Sequence, residues 1–273
     1  MAIQSDKAAR DVVLVESAHI RPVMGFDILE PLPSRTIPYE LVDPYILVHE
    51  SVLPLTADLV GMDTKHPHRG FDNLWYVISG SASTGHSTGP GGSMERVRLQ
   101  AGSLLKIRTG RGVWHAEGIG EDEVREGKAG TVMRGVLFWV NLARRDKGVE
   151  PTAQLLERQA VPVLREGDTI VRVLVGDGSP VELGTPGLVL DVDLPTGGAF
   201  SHSVPTEYNG FIYMLEGEAN IGADRRGAGR SQIAVLGHGG SVTVHNAEPG
   251  TRFMLLAGKP YGERPVYNGP YVD

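Results

Sequence analysis

Cysteine is absent from this 273-residue sequence, so disulfide frameworks, thiolate metal sites and cysteine nucleophiles are excluded. Any bound metal must be held by histidine, aspartate or glutamate. Basic residues are outnumbered, with 26 Lys and Arg against 33 Asp and Glu, which argues against binding nucleic acid through bulk positive charge. No apolar run reaches the length of about 18 residues that a membrane helix needs, and no apolar leader is present. We therefore expect a soluble, cytoplasmic protein.

Glycine and proline are plentiful, with 36 and 18 residues scattered along the chain. Between them lie short runs rich in β-branched and aromatic residues, at 45–48, 104–107, 136–140 and 241–244. Many short strands separated by turns are typical of a β-barrel or β-sandwich, so we predict an all-β fold. Residues 151–159, with proline at the first turn, predict a short helix.

An internal repeat divides the chain into two similar β units. The segment that begins at Tyr76 resembles the segment that begins at Tyr213, an offset of 213 − 76 = 137. The same offset places Leu99 and Leu105 on Leu236 and Val242. We therefore predict two domains, one over residues 1–150 and one over residues 151–273.

Metal chemistry concentrates in the first half. His66 and His68 stand at positions i and i+2, which point to the same face of a strand. About fifty residues later, His115 and Glu117 repeat this spacing. A lone His-x-His pair is more often structural, but two such strands facing each other inside a barrel would bring three imidazoles and one carboxylate to a single divalent metal.

The donor types restrict the metal. Imidazole suits Fe, Cu, Ni and Zn, and carboxylate adds Mn and Co. Four protein ligands leave two positions of an octahedral ion for a substrate oxygen and dioxygen. We therefore favour one Fe(II) per chain, with Ni, Mn, Co, Cu and Zn as alternatives.

Two motifs resemble those of a known family. They are HPHRGFD at residues 66–72 and GRGVWHAE at residues 110–117, with further agreement at 43–47, 139–142, 211–217 and 268–272. Together they resemble the pirins, a branch of the cupin superfamily. The resemblance implies a bicupin fold of two facing β-barrel domains, with a metal, usually iron, in the N-terminal one. The family's ligands fall on His66, His68, His115 and Glu117. The sequence departs from the family at residues 72–73, where Asp-Asn replaces the common Glu-Thr.

Two functions follow from this resemblance. Some pirins are similar in activity to quercetin 2,3-dioxygenase, and others act as redox-sensitive transcriptional cofactors or modulators of metabolic enzymes. We favour a metal-dependent dioxygenase that takes a flavonol-type substrate and dioxygen, with Glu117 as the catalytic base. The alternative is a non-enzymatic, iron-dependent redox sensor that binds a transcription factor or metabolic enzyme. Other cupin chemistry, such as metal-dependent isomerisation, also fits the ligand types.

The second half carries no copy of the ligand set at the same offset. Adding 137 sends the four ligand positions to Ser203, Pro205, Arg252 and Met254. The sequence therefore predicts a metal site in the domain of residues 1–150 and none in the domain of residues 151–273.

A few other residues have open roles. We expect His49 and His86 to be exposed or structural rather than part of a pocket, and the aromatic residues Trp75, Phe138 and Trp139 to fill the core. The segment 118–130, which has few apolar residues, is expected to be mobile over the site.

Overall fold

The computed structural model describes residues 8–23, 25–56, 60–62, 64–118, 120–126 and 132–273. Their regular structure is almost entirely β-strand, with one short α-helix, α1 (Glu121–Glu126), within these ranges. The chain divides into two compact units. The first unit contains Ile20–Glu30, Tyr45–Val161 and Glu263–Asp273; the second contains the chain up to His19, Pro31–Pro44 and Pro162–Gly262. Each unit therefore combines segments that are far apart in sequence.

The first unit contains a four-stranded and a seven-stranded sheet. The four-stranded sheet consists, in spatial order, of β5 (His66–His68), β10 (Val113–Gly118), β7 (Ser81–His86) and β8 (Glu95–Gln100), all antiparallel. The seven-stranded sheet consists, in spatial order, of β12 (Thr152–Leu156), β9 (Leu104–Arg108), β6 (Phe71–Ser79), β11 (Val132–Asn141), β4 (Tyr45–Pro54), β3 (Phe26–Leu32) and β2 (His19–Val23).

Apolar side chains from both sheets form the core of this unit. Along β6, Trp75 and Val77 point to the same face and are buried, as the two-residue period of a strand requires. Trp75 stands opposite Leu105 on one side and Leu137 on the other. Each such buried side chain stabilises the fold by about 1.5–3 kcal/mol. The cluster comprises Trp75, Val77, Ala82, Leu99, Leu105, Ile107, Val113 and Met133.

The second unit repeats this organisation. Its seven-stranded sheet consists, in spatial order, of β1 (Val12–Ser17), β20 (Gln232–Leu236), β17 (Asn209–Glu216), β22 (Thr251–Gly258), β15 (Gly187–Leu194), β14 (Thr169–Val175) and β13 (Val163–Glu166). Its four-stranded sheet consists of β16 (Gly198–Ser203), β21 (Ser241–Ala247), β18 (Glu218–Ile221) and β19 (Arg226–Gly229). A two-stranded ribbon of β23 (Tyr267–Asn268) and β24 (Tyr271–Val272) belongs to the first unit. The prediction of an all-β fold is confirmed.

The strand orders correct the predicted repeat. The offset of 137 holds for the turn between β6 and β7, where Gly80 and its counterpart Gly217 both have φ of +71°. It fails beyond that turn, because β9 occupies the sheet position of β20: Leu104 pairs with Tyr76 and Ile233 pairs with Tyr213, an offset of 233 − 104 = 129. The second unit is shorter here, since residues 222–225 connect β18 to β19 where residues 87–94 connect β7 to β8.

The predicted helix at residues 151–159 is wrong. Residues Thr152–Leu156 form β12, which pairs antiparallel with β9, and a 3-10 turn follows at Arg158–Ala160. The edge of β9 offers unpaired backbone groups, and pairing with them outweighs the helix propensity of this segment. Within the described ranges, α1 is too short to cross a bilayer.

Asp72 of the HPHRGFD motif serves the sheet. It lies on β6 opposite Arg108 of β9 and its side chain is completely buried. The Nε and Nη2 atoms of Arg108 donate hydrogen bonds of 2.8 and 2.9 Å to the two carboxylate oxygens of Asp72. This bidentate pair joins the strand that follows the first histidine motif to the strand that precedes the second.

We expect Asp72→Ala to lower the free energy of unfolding by about 3–5 kcal/mol, because it removes one partner of a buried ion pair. Glu150→Ala is the control: the Arg111–Glu150 pair is exposed, and its loss should cost less than about 1 kcal/mol. Urea denaturation measures both. Equal, small losses would contradict the stabilising role of Asp72.

Candidate metal centre

The two histidine motifs lie on neighbouring strands of the four-stranded sheet. In the antiparallel register of β5 and β10, His115 stands directly opposite His66, and Val113 stands opposite His68. We had expected the two strands to face each other inside a barrel; instead they are hydrogen-bonded partners. Residues i and i+2 share a face of each strand, so the sheet brings His66, His68, His115 and Glu117 to one surface.

The three imidazole rings are in mutual contact. The ring of His66 lies 4.5 Å from that of His68 and 5.3 Å from that of His115, and His68 and His115 are 5.4 Å apart, measured between centroids. One ligand atom from each residue lies within 4.8 Å of the others. In the part of the chain that the structure describes, these three histidines are the one set of three or more His, Asp or Glu residues whose ligand atoms lie this close together.

Two donor–donor distances fit a shared ion. His66 Nε2 lies 2.9 Å from His68 Nε2, and His115 Nε2 lies 3.0 Å from Glu117 Oε1. Two donors about 2.1 Å from one ion, at a right angle to each other, are about 3 Å apart. His115 Nε2 is buried and makes no well-aligned hydrogen bond. Because a buried polar atom without a partner is costly, this donor set suits a cation.

Neighbouring groups set the histidine tautomers. His66 Nδ1 lies 2.5 Å from the backbone oxygen of Thr64, which can only accept, so Nδ1 carries the proton and Nε2 is a free donor atom for a metal. His115 Nδ1 lies 3.4 Å from the hydroxyl of Thr84, a weaker contact of the same kind. The Thr84 hydroxyl itself donates to the backbone oxygen of Ala116.

Two of the candidate ligands have pKa values displaced in the direction that favours metal binding. Burial, followed by the charges of His115 and His66, lowers the pKa of His68 to about 3, so this imidazole is neutral at pH 7. Burial by itself raises the pKa of Glu117, but His115, followed by His66 and His68, lowers it to about 2. A neutral imidazole and an ionised carboxylate are the forms that bind a divalent cation.

Aromatic side chains pack behind the histidines. His68 lies 5.3 Å from the ring of Phe71 and 5.2 Å from that of Trp139, and these two rings stack at 4.1 Å. His86 is buried and stands opposite His115 on β7, where its Nδ1 is hydrogen-bonded to Thr88. Its Nε2 atom is buried and makes no well-aligned hydrogen bond, so the structural role expected for His86 stays a prediction.

A cavity of about 120 Å³ lies beside Glu117 in the first unit. Its wall is mainly apolar and includes Trp75, a residue predicted to fill the core, which also belongs to the buried core cluster. It also includes His49, which we had expected to be exposed or structural. His49 Nε2 contacts a carboxylate oxygen of the buried Glu30, and no motif in the sequence links these two residues. Gly118 lines the cavity at the start of the predicted mobile segment 118–130; of that segment, residues 119 and 127–130 lie outside the described residues.

In the second unit, valines occupy three of the four positions that are equivalent to the candidate ligands. Val242 of β21 faces His202 of β16 as His115 faces His66, and Val244 faces Ile221 as Glu117 faces Thr84. The equivalents of the four ligand positions are therefore His202, Val204, Val242 and Val244, and the three valines are buried. The positions expected from the constant offset, Ser203, Pro205, Arg252 and Met254, are wrong, because the pairing registers give an offset of 202 − 66 = 136 between β5 and β16 and of 242 − 115 = 127 between β10 and β21.

Paired β-sheets repeated in two units, with clustered histidines in one of them, define a cupin-type protein. A family model for the pirin C-terminal cupin domain matches residues 189–273. Pirin-1 of Arabidopsis thaliana is 32% identical over 244 residues, which cover 86% of this chain and 79% of that protein. The chain belongs to the pirin family.

Solved structures share the fold. A quercetin 2,3-dioxygenase from Acinetobacter baumannii superposes with a TM-score of 0.82 at 24% sequence identity. The match covers 97% of this chain and 92% of the dioxygenase chain. A bacterial pirin from Escherichia coli in complex with nickel(II), YhhW, has a TM-score of 0.67 at 14% identity, with 90% of this chain and 100% of that chain covered. At these identities the likeness concerns the fold alone.

We expect His115→Ala to weaken nickel(II) binding by more than about a hundredfold, because losing a ligand exceeds the 10–100-fold effect of losing an outer partner. His202→Ala, at the place equivalent to His66, should leave affinity and a stoichiometry of one ion per chain unchanged. Isothermal titration calorimetry measures both. Two ions per chain, or equal effects of the two substitutions, would contradict the assignment.

Proposed function

We propose that this chain holds one divalent transition metal on His66, His68, His115 and Glu117 and acts as a dioxygenase on flavonol-type, quercetin-like substrates. One observation carries the proposal. Glu117 approaches His115 in the histidine cluster and also lines the cavity. An aromatic molecule in the cavity would therefore meet the side chain that completes the ligand set.

The wider architecture supports a bicupin. Both units have one seven-stranded and one four-stranded sheet in the same strand order, and we infer that each is a cupin barrel. The metal belongs to the first unit, because valines replace the ligands in the second. The division at residues 150 and 151 stays a prediction, as does a cytoplasmic location.

Fe(II) is the metal that we propose. Three imidazoles and a carboxylate suit iron, and the same donors accept Ni, Mn, Co, Cu and Zn. The nickel(II) in the Escherichia coli pirin supports a divalent first-row ion without selecting one.

The reaction begins with deprotonation of a substrate hydroxyl. A redox-active metal held by the three histidines and Glu117 would supply Lewis acidity toward that hydroxyl and electrons for the activation of dioxygen. Glu117 accepts the proton at its carboxylate, which is ionised and partly open to the cavity, with 30% of the side chain exposed. The mainly apolar wall, which includes Trp75, would pack against the substrate ring.

The alternative is a redox-sensing regulator that binds a transcription factor or a metabolic enzyme. Trp114 favours it: this side chain stands beside His115 on β10 and is 50% exposed, with Lys65 Nζ 5.1 Å from its ring centroid. Exposed aromatic residues are enriched in protein interfaces. Because Trp114 is adjacent to a ligand, a bound partner would sense changes in the metal centre.

Oxygen uptake separates the two functions. We expect the iron-loaded protein to consume oxygen when a flavonol is added, in proportion to the metal bound, because catalysis requires the loaded site. Metal-free protein is the control. If a flavonol screen yields no oxygen uptake while partner binding depends on the oxidation state of iron, the regulator is correct and the dioxygenase is not.

Glu117→Gln tests the proton acceptor. We expect the variant to retain part of its metal, since three histidines remain, and to lose flavonol turnover by at least about a hundredfold, the usual contribution of a general base. Glu218→Gln, an exposed position in the second unit, is the control and should be neutral. Full activity of Glu117→Gln at equal metal content would refute this role.

A further inference from the structure

His49 is part of a hydrogen-bonded triad on the cavity wall. Its Nε2 atom pairs with a carboxylate oxygen of Glu30, which lies on β3 beside β4 and is only 3% exposed. Arg21 Nη1 donates to both oxygens of Glu30, at 3.1 and 2.8 Å, from a half-exposed side chain. The proposed function gives this triad no role.

The triad determines which nitrogen of His49 is available. Burial by itself raises the pKa of Glu30, but His49 and Arg21 outweigh it, so the net pKa lies below its usual value and the carboxylate is ionised. An ionised carboxylate can only accept hydrogen bonds, so Nε2 of His49 carries the proton that it donates. The other ring nitrogen, Nδ1, then has a lone pair and is a hydrogen-bond acceptor when the ring is neutral.

The size of the cavity limits its occupant. At about 120 Å³ it is somewhat smaller than an engineered cavity of about 150 Å³ that binds benzene. It therefore takes one aromatic ring, either a small phenol or one ring of a larger flavonol. Thr64 is a polar residue of the wall, but its hydroxyl is already engaged. It donates a hydrogen bond to the backbone oxygen of Glu117 and accepts one from the backbone N–H of the same residue.

We propose that His49, oriented by Glu30, accepts a hydrogen bond from a hydroxyl group of the aromatic ring in the cavity, so that the site selects rings with two hydroxyl groups. One hydroxyl faces Glu117 and the second faces His49. This inference rests on the proposed function, which supplies an aromatic substrate. It adds that His49 is the residue that distinguishes substrates by the number of their hydroxyl groups. Sites that hydrogen-bond a hydroxyl discriminate against analogues that lack it, because a buried polar group is then left unpaired.

Binding measurements test His49 without turnover. The full chain is loaded with zinc, which has no redox chemistry, and titrated under argon with phenol, resorcinol and hydroquinone. The two hydroxyl groups of resorcinol or hydroquinone are too far apart to bind the same ion. A higher affinity than that of phenol therefore indicates that the second hydroxyl contacts a polar group of the protein. We expect one diol to bind about tenfold more tightly than phenol, the effect of about one hydrogen bond.

In His49→Leu this tenfold preference should disappear while phenol binding and zinc content stay unchanged. His238→Leu, which replaces an exposed histidine of the second unit, should keep the preference. If His49→Leu folds poorly because Glu30 loses a partner, the double variant His49→Leu/Glu30→Gln removes the buried charge as well and serves in its place. Thermal unfolding checks all variants.

The outcomes separate this inference from the proposed function. No preference for either diol in the wild type, or a preference that survives in His49→Leu, overturns the role of His49 whatever the oxygen-uptake result. A preference lost in His49→Leu, in a protein that never consumes oxygen, supports His49 as a ligand-reading residue and removes only the dioxygenase.

Discussion

The backbone pairing of β5 with β10 is the constraint on which the candidate site depends. A shift of one residue would turn the histidines to the other face of the sheet. The register is held just outside β5, where the Thr64 hydroxyl accepts a 3.0 Å hydrogen bond from the backbone N–H of Glu117. On the other side, Gly70 adopts φ of +92° and a Cβ there would lie 1.8 Å from the backbone oxygen of Val272. The glycine of the HPHRG motif is thus required by a close backbone approach.

Glu117 links two environments with opposite requirements. The histidine cluster needs ionised, desolvated donors, and the cavity needs an apolar wall with few polar groups. Glu117 stands where they meet, whereas His49 supplies a polar group that is oriented by Glu30, and Arg21 pairs with the charge of Glu30. Substitutions of Glu117 should therefore affect the metal site, whereas substitutions of His49 should affect the recognition of a ligand in the cavity.

The two units show that the scaffold and the site are separable. Strand order is the same in both, yet Val204, Val242 and Val244 fill the places that ligands occupy in the first unit. Among the four equivalent positions of the second unit, one is a histidine, His202, which stacks on Phe200. A cupin fold by itself therefore does not determine whether a unit binds metal; the side chains on the strands equivalent to β5 and β10 do.

By itself, the sequence determined the all-β class, the family and the shared face of His66 and His68, because strand periodicity and motif spacing are local properties. Tertiary structure alone decided that the two motif strands are partners in one sheet, that residues 152–156 form an edge strand, and that His49 meets Glu30. These features depend on which distant segments pair and on connection lengths. A constant sequence offset cannot reflect differences in connection length between the two units. The helix propensity of residues 152–156 is outweighed by the backbone hydrogen bonds that this segment forms with the edge of β9.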